Sequence, residues 1–167
     1  MSDTWKGVIF GIVGTLFVMA IIGLFVVSSG IYNIAATERH SAVVEWALDT
    51  AFQNSVRARS DAIVAPTFDS SMITAGAEGY KKMCAHCHGG VGADRAGWAT
   101  GMRPKPPALA GAADEWSPGE LFWLVKNGAK MTGMPAFGET HDDQTIWNIV
   151  AFVERMPDMS AEEYAAH

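Results

Sequence analysis

Residues 84–88 read Cys84-Ala85-His86-Cys87-His88, a C-x-x-C-H run that constrains the chain more than any other feature. Two thiols separated by two residues lie about one helical turn apart, so they can reach the two vinyl groups on one edge of a porphyrin. The histidine directly after the second cysteine is then held against the iron. Any fold of this chain has to present those three side chains together to one flat cofactor. The sequence holds only two cysteines, and both are in the run. They therefore allow one covalent haem c, bound through Cys84 and Cys87 with His88 on the iron, and leave no thiol for a structural disulfide.

Two other chemistries use C-x-x-C. A thiol–disulfide redox motif opens a helix after a strand. Here the preceding run, Gly76 to Met83, has a helical pattern, so the cysteines close a helix. A zinc site takes about four ligands, commonly as two spaced pairs. There is no second cysteine pair, and His40, His141 and His167 are scattered. His86, between the cysteines, reads as a loop residue.

The 167-residue chain has room for one modest domain with accessories. From Gly7 to Ser29 there is no charged residue. As a helix this run is ~34 Å long, enough to cross a hydrocarbon core of about 30 Å. A cleaved signal peptide is the competing assignment. Its apolar core would be shorter and would end in a small-x-small site, which Val27-Ser28-Ser29 imitates poorly. The segment is read as an uncleaved signal anchor. Lys6 precedes the span, whereas Glu38 and Arg39 cancel after it, which points to an N-in, C-out orientation. Gly7, Gly11 and Gly14 form a small-residue patch, either lipid-facing filler or a contact for a partner's helix.

Residues 31–71 are not composed like a flexible tether. A glycine-free, helical-looking run extends from Thr37 to about Ile63, with Thr37 and His40 bracketing its start. Val44, Leu48, Phe52 and Val56 make one apolar stripe at i+4 spacing. The stripe packs on the protein's own haem domain, on the end of its own membrane helix, or on a partner subunit.

Residues Met72 to Met159 have the layout of a small helical domain. A first helix runs into the haem motif. The loop Gly89-Gly90-Val91-Gly92 can turn sharply beside a flat cofactor. Pro104, Pro106 and Pro107 make the approach to Leu109 extended. Ser117-Pro118-Gly119-Glu120 is a capping box with proline at the first helical position, and its helix stops at Gly128. A last helix starts near Asp142 or Asp143 and ends before Pro157. The loop between carries two candidates for a sixth iron ligand: Met134, stiffened by Pro135, and Met131.

The sequence resembles class I c-type cytochromes, in particular the haem domains of cbb3-type oxidase subunits and of membrane dehydrogenase cytochromes. The matching pieces are Gly76…Tyr80…Cys84-Ala85-His86-Cys87-His88-Gly89, Pro107-Ala108-Leu109, Gly133-Met134-Pro135-Ala136-Phe137 and Trp147…Ala151-Phe152. The resemblance implies an all-α fold with His88 and Met134 as axial ligands and the Pro107 carbonyl bonded to the free ring nitrogen of His88. It implies that the first and last helices cross near Gly76, Tyr80, Ala151 and Phe152. Because bacterial haem attachment to C-x-x-C-H takes place outside the cytoplasm, it also implies a haem domain in the periplasm, anchored in the inner membrane. Residues 1–71 lie outside the resemblance.

The expected organisation is a transmembrane anchor over 1–30, a helical periplasmic connector over 31–71 and a cytochrome c domain over 72–167. The expected function is single-electron transfer, as a respiratory carrier or as a haem subunit of a membrane dehydrogenase or oxidase. A ligand sensor or peroxidase-like enzyme would need a labile sixth position, which the Gly-Met-Pro loop opposes. Within the net charge of −6 there is an asymmetry. Lys81, Lys82, Arg95, Arg103, Lys105, Lys126 and Lys130 precede Met134, and seven acids from Glu139 to Glu163 follow it. The basic group reads either as a docking face for an acidic redox partner or as an ordinary solvated mixture. No phosphate loop, basic–aromatic nucleic-acid patch, catalytic triad or carboxylate pair is present in the sequence, so no nucleic-acid partner is expected.

Overall fold

The computed structural model describes residues 2–167. Among them all regular structure is helical, and the only β pairing is an isolated bridge between Gly90 and Ala93. The chain divides into two compact units between Glu38 and Arg39.

The first unit is built on α1 (Asp3–Ser29), which ends at Gly30 in the left-handed conformation. At 1.5 Å per residue, α1 is about 40 Å long, so it is long and apolar enough to cross a bilayer. Charge is confined to its first turn, where Lys6 pairs with Asp3 at 3.1 Å.

The second unit begins with α2 (Ala42–Ser60). This helix starts later than Thr37, because residues 36–38 form a turn and Ser41, still extended, takes the N-cap position. It ends near Ser60, whose hydroxyl bonds back to the Val56 carbonyl at 3.0 Å. The next helix, α3 (Ser70–Met83), begins four residues before Thr74 because the Asp69 carboxylate caps the Met72 amide at 2.9 Å. A single further turn, α4 (Ala85–His88), carries the haem motif, and α5 (Leu109–Ala112) follows the proline-rich stretch. The capping box at Ser117 and Glu120 starts α6 (Pro118–Asn127) with both reciprocal bonds made. Asp142 caps α7 (Asp143–Arg155) through the Thr145 amide. A last helix, α8 (Ala161–Ala166), lies beyond the elements expected from the sequence, and Ser160 and Glu163 start it with a second complete capping box.

The core lies where α3 crosses α7. A Cβ on Gly76 would collide with the Asn148 carbonyl, and one on Gly79 would stand 3.2 Å from the Ile149 side chain, so glycines let the two helices touch. The Tyr80 and Phe152 rings meet there at 5.4 Å, both fully buried. Each buried side chain of this size contributes about 1.5–3 kcal/mol from lost water contact. Phe122 of α6 stacks on Trp147 of α7 at 4.1 Å.

The connector stripe packs partly on the protein's own second unit. Val56 is fully buried, Phe52 meets Trp116 edge-on at 5.8 Å, and Arg57 faces Glu120 at 3.6 Å. Chain and helix come close at Gly119, where a Cβ would stand 2.8 Å from the Ile63 carbonyl. Leu48, one turn nearer the start of α2, stays exposed, as do Val43 and Trp46.

Candidate functional site

The helical path of α3 carries on through Cys84, whose amide bonds to the Tyr80 carbonyl at 2.8 Å. The amides of Cys87 and His88 then both turn back onto the Cys84 carbonyl, at 3.0 and 2.9 Å. Cys84, Cys87 and His88 thus share one turn. Gly89 leaves it with φ +74° and ψ −162°, a conformation open in practice only to glycine. The exit is fastened three times. Tyr80 donates its hydroxyl proton to the Gly89 carbonyl at 2.8 Å. Gly90 and Ala93 exchange backbone bonds at 2.8 and 3.2 Å, and the Ala96 amide reaches the His86 carbonyl at 2.9 Å. The His86 side chain faces solvent.

His88 Nδ1 lies 2.8 Å from the Pro107 carbonyl oxygen. A carbonyl only accepts, so Nδ1 carries the proton and Nε2 keeps its lone pair. Burial pushes the His88 pKa down from its ordinary value, with Arg95 acting in the same direction and the Pro107 bond opposing both. The lowered pKa favours the neutral ring, the form that binds a metal. Arg95 donates to the neighbouring Pro106 carbonyl at 2.5 Å, so it braces the segment that orients His88. The sequence marks Arg95 only as one basic residue among seven, and nothing in its spacing signals this role.

Met134 sits on a separate loop that α6 anchors. Gly128 ends the helix at φ +66°, and a Cβ there would stand 2.7 Å from the Met134 carbonyl. That carbonyl accepts from the Ala129 amide at 3.2 Å, and the Met134 amide donates to Thr132 Oγ1 at 3.0 Å. Both backbone groups of Met134 are thereby held, and its side chain is half-buried. Met131 differs: it has φ +62° and its side chain is 88% exposed. The Met102 side chain occupies the space a Cβ on Gly133 would take, which links the proline-rich segment to this loop.

The residues fit a covalently attached haem. Both thiols are free, on one turn, and next to a neutral imidazole with one nitrogen engaged and the other available. Half-buried Val91, Leu109, Ala110 and Val125 edge the core with apolar surface. The other two C-x-x-C chemistries fit less well. Burial, then the neighbouring Cys87, push the Cys84 thiol up to about 12, opposite to the lowered pKa of a redox dithiol. Among the described residues no three His, Cys, Asp or Glu side chains converge as a metal site.

A family model described as cytochrome C oxidase, cbb3-type, subunit III matches residues 71–153. The match contains nearly all of α3, the haem turn, the proline-rich segment, the Met134 loop and most of α7. No curated protein matches the chain.

Proposed function

Residues 71–153 form a class I c-type cytochrome haem domain similar to those of cbb3-type oxidase subunits, and we propose that the whole chain is a membrane-anchored, single-haem electron-transfer protein with His/Met ligation. The observation that carries the His88 half of the ligation is the 2.8 Å contact between its Nδ1, on the turn that bears both thiols, and the carbonyl of Pro107 in the proline-rich segment.

When bound, the haem c supplies a one-electron Fe(II)/Fe(III) couple. The chain's part is to hold its own groups still while the charge changes. Cys84 and Cys87 would hold one edge of the haem through thioether bonds, and His88 Nε2 would be a donor to its iron. Pro107 holds the imidazole in one tautomer, and Arg95 steadies Pro107 through its neighbour. Met134 would offer a neutral thioether to the iron, which would favour Fe(II) and raise the potential. Its loop is ordered in advance by Gly128 and Thr132, so little ordering entropy is lost when the sulfur binds.

In this proposal α1 is the anchor, with the amino terminus inside and the haem domain on the periplasmic face of a bacterial inner membrane. Twelve residues separate Ser29 from Ala42, so the tether spans at most roughly 40 Å. Because α2 packs on α6, the 31–71 connector contributes only that short stretch of reach. A short tether supports work near a respiratory membrane complex, as a haem subunit or a carrier of limited range.

Two measurements test this. In the reduced wild type, carbon monoxide is expected to cause no rapid spectral shift, and Met134→Ala is expected to create one. An unchanged spectrum and potential in Met134→Ala would sink the ligand assignment and bring Met131 back. Mild detergent extraction separates the two placements: stoichiometric co-purification with one oxidoreductase indicates a subunit, and isolation alone indicates a carrier.

A further inference from the structure

The chain beyond the family-matched segment folds back onto the haem turn, and we propose that Tyr164 is a positioning residue of that site. The match ends at residue 153, and α8 lies outside it. Ser160 and Glu163 start α8 by reciprocal bonds of 3.1 and 2.8 Å, which sets Tyr164 one turn into the helix. Tyr164 is 6% exposed. Its ring covers Gly90 so closely that a Cβ on Gly90 would overlap the ring. One turn earlier, Ala161 lies over Gly92, where a Cβ would stand 2.7 Å from its methyl group. Glycine at positions 90 and 92 therefore does more than let the chain turn: it makes room for α8.

Tyr164 is itself held in place. Its ring meets Tyr80 edge-on at 6.5 Å, and the Lys81 ammonium sits 5.1 Å over its face. Lys81 also donates to the Ala165 carbonyl at 3.4 Å. Tyr80 in turn bonds to the carbonyl of Gly89, the residue directly after His88. The turn over residues 89–93 is thus gripped by Tyr80 at Gly89 and by the Tyr164 ring at Gly90.

That turn has a single pair of backbone bonds, between Gly90 and Ala93, which is too little to keep it closed by itself. Without the ring over Gly90 it opens, and water gains access beside His88. Solvent exposure near a haem ligand favours the more highly charged ferric state and lowers the potential. The ring does this work, and the hydroxyl does not. The inference rests on His88 being a ligand, as proposed above.

The test uses the full-length holoprotein in detergent, with two readouts: the midpoint potential and hydrogen exchange of the amides at residues 90–93. Tyr164→Ala is expected to lower the potential and to speed exchange at Gly90 and Ala93 at least tenfold. Tyr164→Phe is expected to keep both at wild-type values. Gly90→Ala is expected to reproduce the Tyr164→Ala effect alone but to add little in the double variant, where the ring it would strike is gone. Phe52→Ala, which weakens the unit at α2, is expected to change neither readout. Folded Tyr164→Ala with unchanged potential and exchange overturns the proposal. So does Tyr164→Phe behaving like Tyr164→Ala, or Gly90→Ala and Tyr164→Ala acting additively. Failure of the His88 reading shows separately, as a wild-type haem spectrum in His88→Ala.

Discussion

The Tyr80 hydroxyl donates to the Gly89 carbonyl at 2.8 Å, so a fully buried core residue of α3 is tied to the backbone just past His88. Burial, more than the nearby Cys84 and Tyr164, raises the Tyr80 pKa above the ordinary tyrosine value. Tyr80→Phe leaves a buried carbonyl without its partner, which costs about 1–3 kcal/mol. The sign of the pH dependence follows from the raised native pKa. The stability that Tyr80 contributes is fully present below the unfolded pKa of about 10, and is lost as pH rises toward the higher native value, because the unfolded chain ionises first. Guanidinium unfolding at pH 8 and pH 11 is expected to show the advantage of wild type over Tyr80→Phe shrinking at the higher pH. An advantage that stays constant or grows contradicts the buried, neutral phenol.

Val56 is fully buried on the α6 side of α2. Val56→Ala removes two carbons, about 1.6 kcal/mol at 0.8 per buried carbon, and leaves a cavity that adds to this. Because the helix docks far along the chain from the haem turn, the expected outcome is specific. Proteolysis between Ala42 and Ser60 accelerates, while the haem spectrum and potential stay at wild-type values. A shifted spectrum would mean that α2 supports the haem site directly.

Much of this was legible in the residues because the governing interactions are local. The turn from Cys84 to His88, the capping box at Ser117 and the glycine stop at Gly128 are each decided within about four positions, and the structure has them where the pattern puts them. The residues Thr37 and His40 bracket the start of α2 in the sequence, yet the helix begins at Ala42, because residues 36–38 turn and Ser41 takes the N-cap position. The helix α8 is not legible although Ser160-x-x-Glu163 spells a capping box, because six residues carry too little periodicity to announce a helix. The roles of Arg95 and Tyr164 were not legible at all. Both act on backbone atoms distant in sequence, Pro106 and Gly90, and a backbone atom leaves no signature in its own side chain.

The basic residues before Met134 are not equivalent in the folded protein. Lys82 pairs with Glu78 and Lys126 with Asp143, while Arg95, Arg103, Lys105 and Lys130 face no acidic partner among the described residues. If charge steers docking to an acidic redox partner, the unpaired cations carry it. The double change Lys105→Glu, Lys130→Glu is then expected to slow bimolecular electron transfer to such a partner about tenfold or more at low salt, and the gap to wild type closes as salt screens the charges. Lys82→Gln is expected to have little effect. Stopped-flow rates across ionic strength check both, and rates indifferent to salt in every variant exclude steering by these residues.

Gly128 and Gly133 flank the same loop yet impose different limits on it. Gly128 has φ +66°, and a Cβ there would stand 2.6–2.7 Å from backbone atoms of Met134 and Pro135. Backbone cannot step aside without moving the candidate ligand. A Cβ on Gly133 would meet only the end of the Met102 side chain, which can change rotamer. Gly128→Ala is therefore expected to destabilise the protein by more than about 1 kcal/mol, from the unfavourable φ alone. It is also expected to loosen Met134, the proposed sixth ligand, seen as carbon monoxide binding by the reduced protein. Gly133→Ala is expected to stay within about 0.5 kcal/mol of wild type and to bind no carbon monoxide. If the two variants behave alike, the Met134 loop is not held in advance by its anchor to α6, and the ligand has to be ordered by the iron itself.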